Sequence, residues 1–481
     1  MITRVWVLIG AAFASATILS HACAQSAPPS AGAVWHARQE QSLARDLAAQ
    51  PDPAFTVDSN KTYSLAELID LAEKHNPQTR VAWETAKARA DGLGVARSAL
   101  YPTMSAVALG ASIREATLIG QYFQRQTLGI FEPVLHVEYL VFDIGGRSGS
   151  IDVAKANLLA ADVAFNDTHR KIIFQVSAAY YRLLNAEGQN QAAEASLDNA
   201  KAVEQDATAR LENGLATKPD QMEATAARAQ ADYDLQSAVG AVEIARGDLA
   251  TAIGLPPGTN LKVQGIDELK LPDEVAASVD QEMQQAFRQR PELLEQMARV
   301  RAADASVKQA RSTYFPSLSF SGDGGEARAY GQQNQLPGSY AEGEVWTTQL
   351  QLKWTLFDGA RREYAIAQAK AEKKAAQAQV ADLRDQISNE VWSAYADMRT
   401  ALRQQQAASS LLTASQQSYE AAHESYGYGV RSLLDVVSAQ KALAQARSED
   451  IFARTNLLLQ ATDLAFRTGD LLQMQSGNPG P

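Results

Sequence analysis

The stretch "HNPQTRVAWETAKARADGLGVARSALYP" (His75 to Pro102) decides the fold, because its pattern occurs a second time in the chain. It aligns with "QRPELLEQMARVRAADASVKQARSTYFP" (Gln289 to Pro316) at a constant shift of 214 residues, which then becomes 215. Self-similarity over this distance predicts one architectural unit repeated twice. The longer shift pairs Phe142-Asp143 with Phe357-Asp358, Lys155 with Lys370, Gly214 with Gly429, Asp220 with Asp435, and Gly254 with Gly469.

The repeat divides the chain into segments. Residues 63–254 form the first copy and residues 280–469 the second, joined by a connector at 255–279 that contains Pro and Gly. Each copy opens with a capping-box pattern, Ser64-x-x-Glu67 and Ser278-x-x-Gln281, which predicts the start of a helix. The remaining segments are a signal peptide at 1–24, an N-terminal extended segment at 25–62 and a flexible C-terminal tail at 470–481.

The N-terminus has the pattern of a secretory signal peptide. Arg4 precedes the apolar run Val5 to Leu19, and the small residues Ala22-Cys23-Ala24 follow it. We expect cleavage after Ala24. Cys23 is the single cysteine of the chain, so an internal disulfide is excluded. The surrounding "LSHAC" resembles a lipoprotein cleavage box, with Ser20 where that box usually has Leu, and lipid attachment at Cys23 is the alternative interpretation.

Amphipathic strands follow the opening helices of each copy. In "WTTQLQLKWTL" (Trp346 to Leu356) apolar residues alternate with Thr, Gln and Lys, and "VLHVEYLVF" (Val134 to Phe142) alternates similarly. One such strand alone indicates a half-buried strand of a soluble sheet. Strands of about ten residues with Trp and Tyr at their ends, after a signal peptide, predict an outer-membrane barrel instead. The polar stretch "GEARAYGQQNQLPGSYAEGE" (Gly325 to Glu344) is interpreted as a connecting loop.

The number of strands requires more than one chain. Two strands per copy give four per chain, and a membrane barrel needs about eight. Open strand edges in lipid would leave backbone donors and acceptors unpaired, which is costly. Three chains would give twelve strands with room for a lumen. The predicted fold class is therefore an α+β membrane protein, internally duplicated, with four β-strands per chain in a 12-stranded trimeric outer-membrane β-barrel.

Long helices complete each copy. No proline occurs from Gly146 to Asn213, and at about 1.5 Å per residue this segment would be about 100 Å long. Apolar residues recur along it every three or four positions, as in a coiled-coil seam. Further helices at 221–254, 361–427 and 433–468 complete two antiparallel hairpins. In "YGYGVRSLLDVVSAQ" (Tyr426 to Gln440), Gly427 and Gly429 are expected to let the chain reverse direction.

Composition and motifs exclude several functions. The formal net charge is −11 and no basic block occurs, which argues against nucleic acid as a partner. The sequence contains no HExxH, Walker or nucleophile-elbow motif, and its six histidines have no metal-ligand spacing. "GGRSGS" (Gly145 to Ser150) lacks the Lys of a phosphate loop and is interpreted as a strand-to-helix hinge. We expect no catalytic residues, no cofactor and no metal site.

The duplicated layout, the opening "SLAELIDLAEKHNP" and the turns "GLATKPD" and "GVRSLLD" resemble the TolC family of outer-membrane efflux proteins. The resemblance covers Tyr63 to Gly469. It implies a homotrimeric tunnel, with a twelve-stranded barrel in the outer membrane and a twelve-helix α-barrel in the periplasm. It also implies that the partners are a periplasmic adaptor, an inner-membrane pump and outer-membrane lipid.

The resemblance further implies a gate at the tips of the hairpins. In family members a Tyr and an Arg of the second turn reach an Asp of the first, and the matching positions are Tyr426, Arg431 and Asp220. Pro219 stands where the family often has a hydroxyl that joins this lock. The residues alone also permit an ordinary i,i+4 surface pair between Arg431 and Asp435.

An acidic ring at the entrance is the second implied element of the gate. Asp435 matches the family position, and three carboxylates around an axis would attract cations and raise the pKa of at least one of them. A further ring would fall on Ser438, where this chain has no carboxylate.

The exposed residues of both turns are where the resemblance places contacts with the adaptor. Small side chains suit close approach of a partner's backbone, although simple turn chemistry explains the same residues. They are Gly214, Leu215, Thr217, Gly429, Val430 and Ser432.

The leading hypothesis is a passive, gated export duct of a tripartite efflux system that carries small molecules such as drugs. One alternative is an outer-membrane duct for type I protein secretion. Another, of a different class, is a structural periplasmic coiled-coil or adaptor protein. Nothing in these residues separates drugs, metals, siderophores and polypeptides as cargo.

Overall fold

A computed structural model of the chain describes residues 38–48, 58, 60–119, 121–275, 278–333 and 338–471. The signal peptide, Cys23 and the tail beyond residue 471 lie outside the described residues. The chain divides into two compact units, 1–58 and 59–481. In the first unit a helix, α1 (Arg38–Ala48), replaces the extended conformation predicted there. This stretch contains no Gly or Pro, and Glu40 and Arg45 suit the two ends of the helix dipole.

The second unit contains the two predicted copies, each with short helices, two long strands and a long helical hairpin. The first copy consists of β1 (Thr62–Tyr63), α2 (Leu65–His75), α3 (Pro77–Ser98), β2 (Thr103–Ile119), β3 (Tyr122–Phe142), α4 (Gly146–Glu212) and α5 (Lys218–Ile253). The strand β4 (Lys262–Val263) lies in the connector, and the second copy consists of α6 (Val279–Gln289), α7 (Pro291–Ser312), β5 (Ser317–Gln333), β6 (Ser339–Lys353), α8 (Arg361–Gly427) and α9 (Leu433–Thr468). The short strands β1 and β4 pair in parallel and join the copies.

The two opening helices differ at their first turn. The hydroxyl of Ser64 accepts a hydrogen bond from the Glu67 amide, and the Glu67 carboxylate accepts one from the Ser64 amide at 2.9 Å. This capping box is confirmed. Ser278 caps α6 without a side-chain hydrogen bond, so the second predicted box is wrong. The neutral amide of Gln281 is drawn less strongly to the positive helix end than a carboxylate, and its backbone amide donates to the Ser278 carbonyl instead.

The four long strands form one antiparallel sheet in the order β2-β3-β5-β6. They contain 17, 21, 17 and 15 residues, so the predicted length of about ten is too short. The polar stretch predicted as a loop is mostly paired, and the last pair of the β5–β6 ladder is Gly331 with Ser339. Backbone amides form this ladder whatever the polarity of the side chains, so the strands continue past the apolar band.

The two faces of the sheet differ in polarity as the alternation predicts. Phe320 and Leu350 are register partners on the apolar face, where Leu350 is exposed. On the polar face His136 pairs with Asp323, and the His136 Nδ1 lies 2.7 Å from the Asp323 Oδ1. The sheet therefore presents one apolar and one polar surface, as a barrel between lipid and water requires.

Matching hinges join the strands to the long helices in both copies. The Arg147 guanidinium lies 3.5 Å from Asp143 and donates to the Val141 carbonyl. The Arg362 guanidinium lies 3.0 Å from Asp358 and donates to the Thr355 and Leu356 carbonyls. The interpretation of "GGRSGS" as a hinge is confirmed, because β3 ends at Phe142 and α4 begins at Gly146.

The helices pack side by side in one layer. Near the sheet the order is α3-α4-α7-α8, and toward the tips of the hairpins it is α5-α4-α9-α8. In the described part of the chain, β2 and β6 each have one strand neighbour. These open edges are available to pair with strands of further copies of the chain. No helix among the described residues is both long enough and apolar enough to cross a membrane.

A buried network of charges ties the two copies together. The Arg170 side chain on α4 is fully buried and donates to the Asp167 carboxylate at 2.7 Å and to the Phe466 carbonyl on α9 at 2.7 Å. It also pairs with Glu292 at the start of α7. Arg290 donates to Glu292 at 3.1 Å, so the two guanidiniums share one carboxylate.

Candidate functional site

The candidate site is formed by the tips of the two hairpins, which reverse direction in the same way. Gly214 and Gly429 both have a φ of +73°, a conformation that residues with a Cβ rarely adopt. The next amides, of Leu215 and Val430, donate to the carbonyls of Arg210 and Ser425 at 2.7 and 2.9 Å. Each tip is therefore a Schellman motif.

The reversal depends on one glycine per tip. The second turn was predicted to use both Gly427 and Gly429. Gly427 is the last residue of α8, and a Cβ added there would meet no atom within 4 Å. Gly427 is therefore dispensable for the turn. The chain reverses direction at Gly429, because Gly429 has the positive φ that the turn requires.

Each outgoing helix restarts with a capping box. Asp220 Oδ2 accepts from the amide and hydroxyl of Thr217, at 2.8 and 2.6 Å. Asp435 Oδ2 accepts from the amide and hydroxyl of Ser432, at 3.1 and 2.8 Å. These hydrogen bonds lower the pKa of both carboxyls. Four residues predicted for the gate or for docking therefore hold the turns together.

Tyr426 lies inside the tip rather than at its surface. Its side chain is 7% exposed and belongs to a cluster that joins both hairpins. Burial raises the pKa of its phenol, Asp206 and Asp220 raise it further, and Arg210 opposes them. The other buried members of the cluster are Val203, Ala207, Ala224, Leu433 and Val436.

Arg210 is a tip residue that the sequence analysis missed. Its guanidinium lies over the Tyr426 ring, 4.4 Å from the ring centroid, and donates to the Gly427 carbonyl at 2.9 Å. These contacts join the end of α4 to the end of α8. A shift of 215 residues pairs Arg210 with Ser425. This difference between the copies was the signal that could have identified Arg210, because a charged residue present in one copy alone is a candidate for a contact between the copies.

Within one chain the three residues of the predicted lock do not pair. Among the described residues, no hydrogen bond joins Asp220 to Tyr426 or to Arg431, because the Asp220 carboxylate faces Thr217. Arg431 and Asp435 form no ion pair, although the Arg431 charge contributes to lowering the pKa of Asp435. The raised pKa expected for an acidic ring concerns three chains and stays a prediction.

The predicted docking residues lie at the ends of the tips. Leu215 and Val430 are the apolar ones, and their side chains are 75% and 79% exposed. They occupy equivalent positions, directly after the glycine of each Schellman motif. A partner would therefore meet an exposed apolar side chain at the equivalent position of both tips.

Removing a cap should loosen one tip and leave the other unchanged. We expect Ser432→Ala to remove about 1 kcal/mol of helix-start stability, because the freed amide of Asp435 loses its acceptor. Hydrogen exchange at residues 433–436 should become roughly fivefold faster, while exchange at residues 218–221 serves as the reference within the same molecule. Equal exchange at 433–436 before and after the substitution would contradict this role.

The same carboxylates should make the tips sensitive to acid. The lowered pKa values mean that Asp220 and Asp435 stabilise the folded tips above the carboxyl's ordinary pKa, about 3.9. This contribution is lost as the pH falls through the still lower folded values. Intrinsic-rate-corrected exchange should therefore be constant between pH 7 and 5 and increase below about pH 4. Asp435→Asn should remove this increase at the second tip alone.

Four long amphipathic strands with two open edges, continued by helical hairpins with exposed tips, define a subunit of a membrane channel. The chain belongs to the outer membrane efflux protein family, whose model matches residues 68–255 and 283–470, one match for each copy. The predicted family is thereby confirmed. Because of this membership, the protein is an outer-membrane channel subunit with a periplasmic helical extension.

Comparisons with individual proteins agree with the family. The chain is similar to Protein CyaE of Bordetella pertussis, with 27% identity over 424 residues that cover 88% of this chain and 86% of that protein. It is similar to outer membrane protein OprJ of Pseudomonas aeruginosa, with 25% identity covering 81% and 79%. The crystal structure of a Pseudomonas aeruginosa membrane protein shares its fold, with a TM-score of 0.74, 22% identity and coverage of 88% and 98%.

The fold extends to a channel of another organism. The crystal structure of the Campylobacter jejuni CmeC outer membrane channel matches with a TM-score of 0.71, 18% identity and coverage of 88% and 93%. These likenesses confirm the predicted fold class of a β domain continued by a helical barrel. Of the proteins named here, the Campylobacter jejuni CmeC protein is described as an outer membrane channel.

Proposed function

We propose that this chain forms the passive exit duct of a tripartite efflux system, in which a periplasmic adaptor and an inner-membrane pump deliver cargo to its helical end. The observation that carries the proposal is the pair of equivalent, exposed hairpin tips joined by one small buried cluster. At the tips the hairpins meet in this cluster, while α4 and α9 stay packed along their length farther from the tips. The tips can therefore separate without unfolding of either hairpin. The exposed Leu215 and Val430 are the surfaces at which an adaptor would bind.

The gate that we propose acts through Tyr426 and Arg210. The Tyr426 ring fills a site between Val203, Ala207 and Ala224 of the first hairpin, and Arg210 holds the Gly427 carbonyl. Opening requires the α8–α9 tip to leave this site as a unit. The Arg431 side chain is exposed and forms no hydrogen bond or ion pair with the described residues, so in the closed trimer it is available to Asp220 of a neighbouring chain. Asp435 would add a ring of negative charge that favours cations.

Single-channel conductance tests the gate. We expect the Tyr426→Phe, Arg431→Ser double variant to conduct several times more than the wild type in a planar bilayer, because it removes the Tyr426 hydroxyl and the Arg431 charge with which the closed tip would contact Asp220 of a neighbouring chain. Tyr426→Phe keeps the ring in the cluster and removes only the hydroxyl. Arg403→Ser is the control, because it removes an exposed charge from α8 far from the tip.

Each outcome of the conductance experiment has a distinct meaning. A double variant that conducts like the wild type would overturn the gate and leave the duct. A well-folded preparation that forms no channel would favour the structural coiled-coil alternative. Equal increases in the double variant and in Arg403→Ser would assign the effect to net charge rather than to the lock.

Small molecules are the cargo class that we propose. Relatives of 23% and 25% identity are named as an antibiotic efflux pump protein, a toluene efflux pump protein and a cation efflux system protein. A deletion strain should become more susceptible to at least one antibiotic, solvent, dye or metal, and the cloned gene should restore resistance. Unchanged susceptibility to all of them, combined with loss of a secreted protein, would favour the type I secretion alternative.

A further inference from the structure

A basic cavity opens where the strands meet the helices of the second copy. It has a volume of about 420 Å³ and lies between α7 and α8, beside the hinge that follows β3. Four cationic side chains, Lys308, Arg311, Lys370 and Lys373, line it together with the apolar side chains of Ile144 and Phe315. Neither the proposed gate nor the proposed docking surface uses any of these residues.

The cavity carries more positive charge than its own carboxylates neutralise. Lys308 Nζ lies 2.9 Å from Asp152 Oδ2, and Lys373 Nζ lies 2.6 Å from Asp304 Oδ1. The side chains of Arg311 and Lys370 form no ion pair or hydrogen bond with any other residue that the structure describes. Two cations are therefore available to a ligand, and a phosphate group is the anion that a guanidinium and an ammonium bind together.

The position of the cavity matches the depth of lipid headgroups. The exposed apolar side chains of β6 and the segment after it run from Trp346 to Leu356, which at about 3.3 Å per residue and 40° tilt spans about 25 Å. This is the height of the apolar band of a membrane barrel. The band ends at the strand-to-helix junction, so the cavity lies directly beyond it on the periplasmic side.

The rim of the cavity is apolar on the side of the strands. Ile144 and Phe315 are 49% and 52% exposed, and they stand two residues from the ends of β3 and β5. Apolar side chains at this exposure suit contact with lipid, whereas a water-filled lumen would favour polar ones. The cationic side chains would face the phosphate of a phospholipid, and the apolar rim would face the acyl chains that extend into the membrane.

The internal repeat shows that the fold does not require the charges of Lys308 and Lys373. At the equivalent positions of the first copy, Lys308 is replaced by Gly94 and Lys373 by Leu158. Arg311 and Lys370 correspond to Arg97 and Lys155. The same architecture thus forms in the first copy with half as many cations.

We propose that this cavity binds the phosphate-bearing headgroup of an anionic glycerophospholipid of the periplasmic leaflet. Arg311 and Lys370 contact the phosphate, Lys308 and Lys373 border it, and Ile144 and Phe315 contact the adjoining glycerol and acyl chains. The proposal rests on the location of the protein in the outer membrane and is independent of the gate. Basic pockets at the polar boundary of a membrane are established sites for such headgroups.

Native mass spectrometry of the detergent-solubilised protein tests the proposal with phosphatidylglycerol as the probe. We expect phosphatidylglycerol adducts on the wild type and roughly 10- to 30-fold weaker binding to the Arg311→Gln, Lys370→Gln variant. Arg97→Gln, Lys155→Gln removes the same charges from the first copy and should bind like the wild type. Phosphatidylcholine, whose headgroup has no net charge, should bind both variants and the wild type equally weakly.

Three outcomes would overturn the proposal. The first is equal phosphatidylglycerol binding by the wild type and the Arg311→Gln, Lys370→Gln variant. The second is an equal loss of binding in both double variants, which would indicate a general effect of surface charge. The third is displacement of the lipid by millimolar inorganic phosphate, which would indicate a site for soluble anions. Channel conductance is not part of this readout, so failure of the gate would not change its result.

Discussion

Replacing Arg170 by Met is expected to lower the free energy of unfolding by about 3–5 kcal/mol, the largest effect that we predict for a single substitution. The Arg170 side chain is fully buried, and its guanidinium donates to Asp167 and to the Phe466 carbonyl. It also lies 4.2 Å from the centroid of the Phe466 ring. Met fills a similar volume but leaves the buried Asp167 carboxylate without its main partner, and this loss accounts for the cost.

The measurement is chemical denaturation of the detergent-solubilised protein, followed by far-ultraviolet circular dichroism. Lys171→Met is the matched control, because Lys171 lies 2.6 Å from the same Asp167 but its side chain is 52% exposed. This control should cost less than about 1 kcal/mol. Adding Asp167→Leu to Arg170→Met should recover part of the loss, because it removes the unpaired carboxylate. If Arg170→Met lowers the free energy of unfolding by no more than Lys171→Met does, this account is contradicted.

Substitution of Gly149 should have the second largest effect. A Cβ added at Gly149 on α4 would lie 2.8 Å from the Gln309 Cβ and 2.9 Å from the Gln309 Cα on α7. Gln309 cannot relieve the contact by changing rotamer, because part of the clash is with its backbone. The two helices would have to separate, and we expect Gly149→Ala to cost about 1–3 kcal/mol.

Gly92→Ala is the matched control for Gly149→Ala. Gly92 lies inside α3, and a Cβ added there would meet no atom within 4 Å. Alanine is the better helix former, so this variant should be more stable than the wild type by about 0.5–1 kcal/mol. Changes of opposite sign in the free energy of unfolding of the two variants, measured in the same denaturation assay, would confirm the close contact of α4 with α7. A Gly149→Ala variant more stable than the wild type would show that α4 and α7 can accommodate a Cβ at position 149, and it would contradict this prediction.

Features set by local sequence were predictable. The predicted bounds of α8 and α9 coincide with those observed, 361–427 and 433–468, because turn glycines and capping residues act within a few positions. The duplication was visible without any structure, and with it the four strands and two hairpins. The alternating strands and the signal-peptide pattern predicted the outer membrane, and the resemblance to the family, carried by the duplicated layout, the opening segment and the two turns, implied the same location.

Features set by contacts between distant residues were not predictable. The strands exceed their apolar stretch because backbone pairing with a neighbour, rather than side-chain pattern, decides where a ladder ends. Tyr426 was expected to contact Asp220 in a gate, and no pattern in the sequence indicated that Val203 and Ala207 of the first hairpin bury it. Arg210 became recognisable as a tip residue only when its contact with the Gly427 carbonyl was seen.

The buried network around Arg170 also constrains how the chain can mature. Arg170 is made early, but Glu292 follows it by 122 residues and Phe466 by 296, close to the C-terminus. Until those residues have crossed the inner membrane, the Arg170 guanidinium has Asp167 as a partner but lacks the Glu292 carboxylate and the Phe466 carbonyl. We therefore expect that the first copy does not fold as an autonomous unit, and contacts of such long range form slowly. Secretion must keep the chain unfolded until nearly all of it has been delivered, and a chain truncated before α9 should remain a target for periplasmic proteases.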